Sequence, residues 1–95
     1  MNIDVLPIGT IVALTNNESI KFMIVGFLPT NVEGEERDYV GVRYPIGVYD
    51  NRMFFFFNHS DISSVIHKGY SDEEFCVISE LMKAHKKYKE GDSNE

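Results

Sequence analysis

The sequence predicts an α+β fold: a strongly bent five-stranded antiparallel sheet, SH3-like or half-barrel, covered by one C-terminal amphipathic helix. Short β-branched and aromatic runs alternate with Gly, Pro and Asn punctuation between Gly9 and Lys68, the pattern of a small antiparallel sheet. From Ser71 the apolar spacing changes to that of a helix. Within the first of these regions stand four consecutive phenylalanines, Phe54 to Phe57. In an extended strand their side chains alternate between the two faces, so both faces ask for cover and a central place in the sheet is expected.

Pro7 marks the threshold of the first strand, about Gly9 to Leu14, where a missing amide donor does no harm. Asn16, Asn17, Glu18 and Ser19 form a turn cluster, with Asn suited to positive φ, so the first two strands read as a hairpin. The second strand, Ile20 to Leu28, is nearly all apolar after Lys21, and Gly26 within it marks a bulge or a bend. Pro29 to Asp38 carries four acids and reads as a solvated connector. The third strand, Asp38 to Tyr44, alternates Tyr39, Gly41 and Arg43 against Val40, Val42 and Tyr44. Pro45, Ile46 and Gly47 break the ladder before Val48 to Asn51 leads into the phenylalanine strand. Asn58, His59, Ser60 and Asp61 are rich in capping side chains and read as one helical turn, followed by a short fifth strand, Val65 to Lys68.

Ser71 and Glu74 have the spacing of a capping box, and Asp72 and Glu73 suit the positive first turn, which predicts a helix over Ser71 to Glu90. Its apolar stripe is Phe75, Ile78, Leu81, Met82, His85 and Tyr88, suited to the sheet's second face, with Cys76 nearly opposite. Gly91 to Glu95 reads as a frayed tail, leaving residues 1–90 as a single domain.

Twelve Phe and Tyr side chains in ninety-five residues give an aromatic core rather than a disordered chain. The net charge is −6, and residues 1–82, with five basic and twelve acidic side chains, carry 5 − 12 = −7. That balance opposes nucleic-acid binding, which depends on Lys and Arg displacing counterions from phosphate. The lone cysteine, Cys76, excludes an internal disulfide and a Cys-based zinc cluster, and no cofactor is expected. MNIDVLPIG has no basic region leading into an apolar stretch, and the longest apolar run, Phe22 to Leu28, falls far short of a membrane span. A soluble, cytoplasmic protein without a membrane partner is the expectation.

Few residues invite chemistry. His59, Ser60 and Asp61 compose a hydrolase triad by type, but neighbours on one turn rarely supply triad geometry, so capping is the preferred reading. A metal site from His59, Asp61 and His67 would need the turn to fold back on the fifth strand, and it lacks recognised ligand spacing. No enzyme is expected. Tyr44, Pro45 and Ile46 form a small apolar knuckle that is either a packed loop or an exposed contact for a partner.

Four blocks carry a family resemblance: LPIGTIVAL near the start, KFMIVGF in the second strand, DYVGVRYPIGV in the third, and FFFNHSDISSVIHKGYSDEEF towards the end. Over about residues 5–75 the chain resembles a small family from Gram-positive bacteria, domain of unknown function four-one-seven-six. Such proteins are typically encoded beside LXG-type toxins of the type VII secretion system, which implies an accessory, chaperone or targeting role. The family brings no catalytic residues.

The leading expectation is therefore a non-enzymatic protein-protein interaction module whose partner is an LXG-type toxin's N-terminal region. Its contacts are placed at Tyr44, Pro45, Ile46, Asn58, His59 and Asp61. One alternative is an immunity protein, acidic to match a basic nuclease surface. Another is a small metal-dependent hydrolase using His59, Asp61 and His67. An aromatic strand with two apolar faces would also leave surface for a homodimer to bury.

Overall fold

The computed structural model describes residues 5–30 and 33–93, with side chains described through residue 85. It contains two compact units, a sheet unit of Leu6–Tyr70 and a helical unit containing Ser71 onward. The sheet unit holds β1 (Ile11–Leu14), β2 (Asn17–Phe27), β3 (Tyr39–Tyr44), β4 (Phe55–Phe57), a 3₁₀ turn (His59–Asp61) and β5 (Ile62–His67). All neighbouring pairs are antiparallel and the order across the open sheet is β4-β3-β2-β1-β5.

The β1–β2 hairpin is tighter than its turn cluster implies. Leu14 pairs with Asn17, so Thr15 and Asn16 alone make the turn, and Asn17, Glu18 and Ser19 extend β2 instead. The first strand starts at Ile11 rather than Gly9, because Gly9 turns at φ 93° and its amide bonds the Ile24 carbonyl at 2.8 Å. The bulge expected near Gly26 is present: the β2–β3 register passes from Ile24↔Gly41 to Gly26↔Val40 and skips Val25. The fifth strand begins at Ile62, three residues before Val65, because the 3₁₀ turn ends directly against β1.

The phenylalanine strand is not central. β4 pairs only with β3 and forms an edge, which overturns the expected placement. The physical reason is that only one of its faces is buried. Phe57, 3% exposed, packs on Tyr39 and Phe22 with ring centroids 5.8 and 6.3 Å apart, and Phe55 meets the Phe22 ring edge-on at 5.2 Å. Phe54, Phe55 and Phe56 keep 43, 38 and 40% of their surface exposed. An edge strand needs no second cover.

The bend of the sheet follows from its hydrogen bonds. Drawn straight, a strand the length of β2 would hold its two ends about 33 Å apart at roughly 3.3 Å per residue. Yet one 3₁₀ turn reaches both ends: the His59 amide donates to Asp38 Oδ2 at 2.8 Å, and the Thr15 amide donates to the Asp61 carbonyl at 2.9 Å. Asp38 adjoins the far end of β2, its carbonyl accepting the Leu28 amide at 3.0 Å, while Thr15 adjoins the near end. The sheet must curl for both bonds to form. The connector from Pro29 to Asp38 is itself ordered at its base, where Thr30 and Glu36 bridge and the Arg37 amide bonds the Pro29 carbonyl.

Within the helical unit, α1 spans Glu73–Ser93. Its cap is Asp72 rather than Ser71: Asp72 Oδ1 accepts the Phe75 amide at 3.0 Å, one residue later than the capping-box reading. A carboxylate there also complements the helix dipole. The helix carries through Gly91 and does not stop at Glu90; residues 94 and 95 of the expected frayed tail lie outside the described residues. Of the predicted stripe, Met82 is buried but Leu81 and Ile78 are exposed. At 100° per residue Leu81 lies about 120° from Phe75, and the shielded line runs Phe75, Ser79, Met82, His85 instead. The Tyr88 side chain lies outside the described residues. No helix among the described residues is long and apolar enough to cross a membrane.

Candidate functional site

The β3–β4 connection concentrates exposed apolar surface. It leaves β3 through a tight turn in which the Gly47 amide donates to the Arg43 carbonyl at 2.8 Å, after a cis bond between Tyr44 and Pro45. Gly47 takes φ 76°, a conformation few side chains tolerate. A second turn is fixed by Asp50, whose Oδ1 accepts the Arg52 amide at 2.8 Å and whose Oδ2 pairs with Arg52 Nη2 at 2.8 Å. The hydrogen bond from the Arg52 side chain holds the Asp50 carboxyl below its ordinary range, and the same bond raises the guanidinium. Between and beside these turns Tyr44, Ile46, Val48, Tyr49 and Phe54 stand exposed, Tyr49 at 77%. The knuckle at Tyr44, Pro45 and Ile46 is thus exposed to solvent and not packed against the sheet.

Asn58, His59 and Asp61 are placed differently. Asn58 Oδ1 accepts the Asp38 amide at 3.1 Å, and Asp61 Oδ2 accepts the Asn58 amide at 2.8 Å. His59 Nδ1 lies 2.9 Å from the Tyr39 hydroxyl, which also accepts the Leu6 amide at 3.1 Å. Burial pushes the Tyr39 phenol up to about 12, so it stays protonated and can donate to the imidazole. Asn58 and His59 tie the start of β3 to the 3₁₀ turn, and Asp61 caps the turn itself. No hydrogen bond among the described residues joins His59 to Ser60 or to Asp61. No group of three His, Cys, Asp or Glu side chains with metal-binding proximity occurs among the described residues.

Sequence reasoning missed the roles of Asp38 and Tyr39. The available signal was the position of an acid and a tyrosine at the very start of a strand, opposite a turn rich in capping groups.

Residues 5–76 match the family model described as Domain of unknown function (DUF4176). The chain belongs to this family. The DUF4176 match takes in every strand of the sheet, the 3₁₀ turn and the opening of α1, ending at Cys76. No curated protein and no solved structure matches the chain. In this DUF4176 protein the family region thus includes both the hydrogen-bonded knot at Asp38, Tyr39, Asn58 and His59 and the exposed β3–β4 hairpin.

Proposed function

We propose that this DUF4176 protein is a non-enzymatic protein-binding module that acts as an accessory, chaperone or targeting factor for a type VII-secreted LXG-type toxin in the cytoplasm. The observation that carries the reading is the run of exposed large apolar side chains from Tyr44 to Phe56 on one hairpin and edge strand. Contiguous apolar surface in so small a domain marks a place where another chain docks. The open edge of β4 offers backbone donors and acceptors beside it. The strand order, with a 3₁₀ turn before the last strand, supports an SH3-like half-barrel as the scaffold. Co-expression with the N-terminal region of the adjacent LXG-type toxin tests the reading. A complex that survives size-exclusion chromatography is expected, and separate elution of the two chains would count against it.

The acidic connector, with Glu33 and Glu35 exposed, favours a second reading as an immunity protein facing a basic toxin surface. Protection of cells from the toxin's catalytic domain, with its export unchanged, would select that reading.

A further inference from the structure

Helix α1 has two faces that ask for cover. Phe75, Ser79 and Met82 form the shielded line, with Met82 only 4% exposed. Val77, Leu81 and Ala84 form a second line, within about 60° of arc and roughly opposite the first. This one faces solvent: Val77 and Leu81 are each 61% exposed, and Ile78 beside them is 41% exposed. A helix that covers a single core needs only one apolar stripe. Residues 77, 81 and 84 have the four-and-three spacing of a helix-pairing seam, which starts just past Cys76, where the family match ends.

The charges of the helix point to what covers the seam. Glu73 to Glu80 holds three acids and no Lys or Arg, whereas Lys83 to Lys89 holds four lysines and no acid. Acids in a first turn suit the helix dipole. Yet Glu73 and Glu74 are exposed, and positions 76, 77 and 78, where a helical ion-pair partner would follow them, are Cys, Val and Ile. Glu80 differs, with Lys83 at 3.6 Å. Over Glu73–Ser93 four lysines meet five acids, 4 − 5 = −1, while the rest of the chain carries 5 − 10 = −5. A second copy of this acidic protein meets the least repulsion along α1.

We propose that two copies of the chain pair through α1, antiparallel, with the two-fold axis near Leu81. Val77 and Ile78 of each copy then lie beside Ala84 and His85 of the other. The same alignment brings Glu73 and Glu74 level with Lys87 and Lys89 of the second copy, twice over, because the axis repeats every contact. A parallel pair would set acids against acids and lysines against lysines, so the charge order selects the antiparallel one. The helix is about 30 Å long, which makes the interface a small one and the dimer concentration-dependent. The β3–β4 hairpin takes no part in it.

Sedimentation equilibrium and amide NMR of the full-length protein over a dilution series test this. A mass rising from one chain to two with concentration is expected, with concentration-dependent shifts centred on Val77 to His85. Those wild-type shifts need no variant to fold. Leu81→Gln, at an exposed position, raises the dissociation constant at least about tenfold with the helical circular dichroism unchanged. Glu73→Lys with Glu74→Lys also weakens the dimer, and adding Lys87→Glu with Lys89→Glu to the same chain restores it, because an antiparallel pair exchanges its two ends. A mass of one chain throughout, shifts that fall on Phe54 to Phe56 instead, or a dimer indifferent to Leu81→Gln overturns the proposal. A quadruple variant that keeps its helix and still pairs weakly overturns the antiparallel arrangement.

Discussion

The hydroxyl of Tyr39 and Nδ1 of His59 meet at 2.9 Å, joining the first residue of β3 to the turn that carries the chain from one sheet edge to the other. Tyr39 is 1% exposed and its oxygen also accepts the Leu6 amide. One phenol therefore fastens the lead-in segment, β3 and the 3₁₀ turn. Tyr39→Phe keeps the ring and its packing on Phe57 but leaves the Leu6 amide and the imidazole unpaired. A loss of about 1–3 kcal/mol in denaturant unfolding at neutral pH is expected. Stability within error of wild type would show that the hydroxyl holds nothing.

The same phenol sets a pH dependence. Its folded pKa is about 12 against an ordinary 10.0, so between those values the folded protein keeps a proton that the unfolded chain releases. Its contribution is complete below pH 10 and is lost as pH rises through 10 towards 12. The gap in stability between wild type and Tyr39→Phe should be constant from pH 7 to 9 and shrink above 10. A gap that widens with alkali would contradict the assigned burial.

Gly69 is required by close approach of backbone. A Cβ there would collide with the Ile8 carbonyl oxygen and lie 2.8 Å from the Thr10 amide nitrogen, and its own amide donates to Thr10 Oγ1 at 3.0 Å. None of those backbone atoms can swing away. Gly69→Ala should destabilise by at least about 2 kcal/mol through forced displacement of the chain after β5. Gly34→Ala is the contrast: space is open there, and only its φ of 81° opposes the side chain. A melting temperature lowered less by Gly69→Ala than by Gly34→Ala would reverse this ranking.

How far these features were legible differs by element. The five strands, the hairpin and the bulge near Gly26 follow from β-branched runs and turn residues, because those signals act over a few neighbouring positions. The place of Phe54 to Phe57 does not. Alternation says that two faces exist but not that the far face is left bare, and that depends on the curl enforced by Asp38 and Thr15 on one short turn. The exposure of Tyr44 to Ile46 was legible because a Pro and a Gly bracket an apolar residue at a chain reversal. Asn58, His59 and Asp61 stood out for the same polar types that serve capping; Asp61 caps its own turn, whereas Asn58 and His59 have partners twenty residues away that local sequence does not reveal.

Asn58→Ala distinguishes those uses directly. It removes the acceptor of the Asp38 amide, so the melting temperature should fall by several degrees, about 4–8 °C per kcal/mol in a domain of this size. Binding to the partner, measured on protein still folded at low temperature, should be unchanged. A folded variant that has lost the partner would return Asn58 to the docking surface.

Ile46→Asp makes the opposite prediction. The side chain is 52% exposed at the tip of the hairpin, and nothing buried depends on it, so stability should stay within about 0.5 kcal/mol of wild type. A carboxylate there places an uncompensated charge among the exposed apolar side chains Tyr44, Val48 and Tyr49. Partner affinity should fall at least about tenfold. Full-strength binding by a folded Ile46→Asp protein would move the docking surface off this hairpin and onto the remaining open edge at β5, where Val65 and Ile66 are exposed.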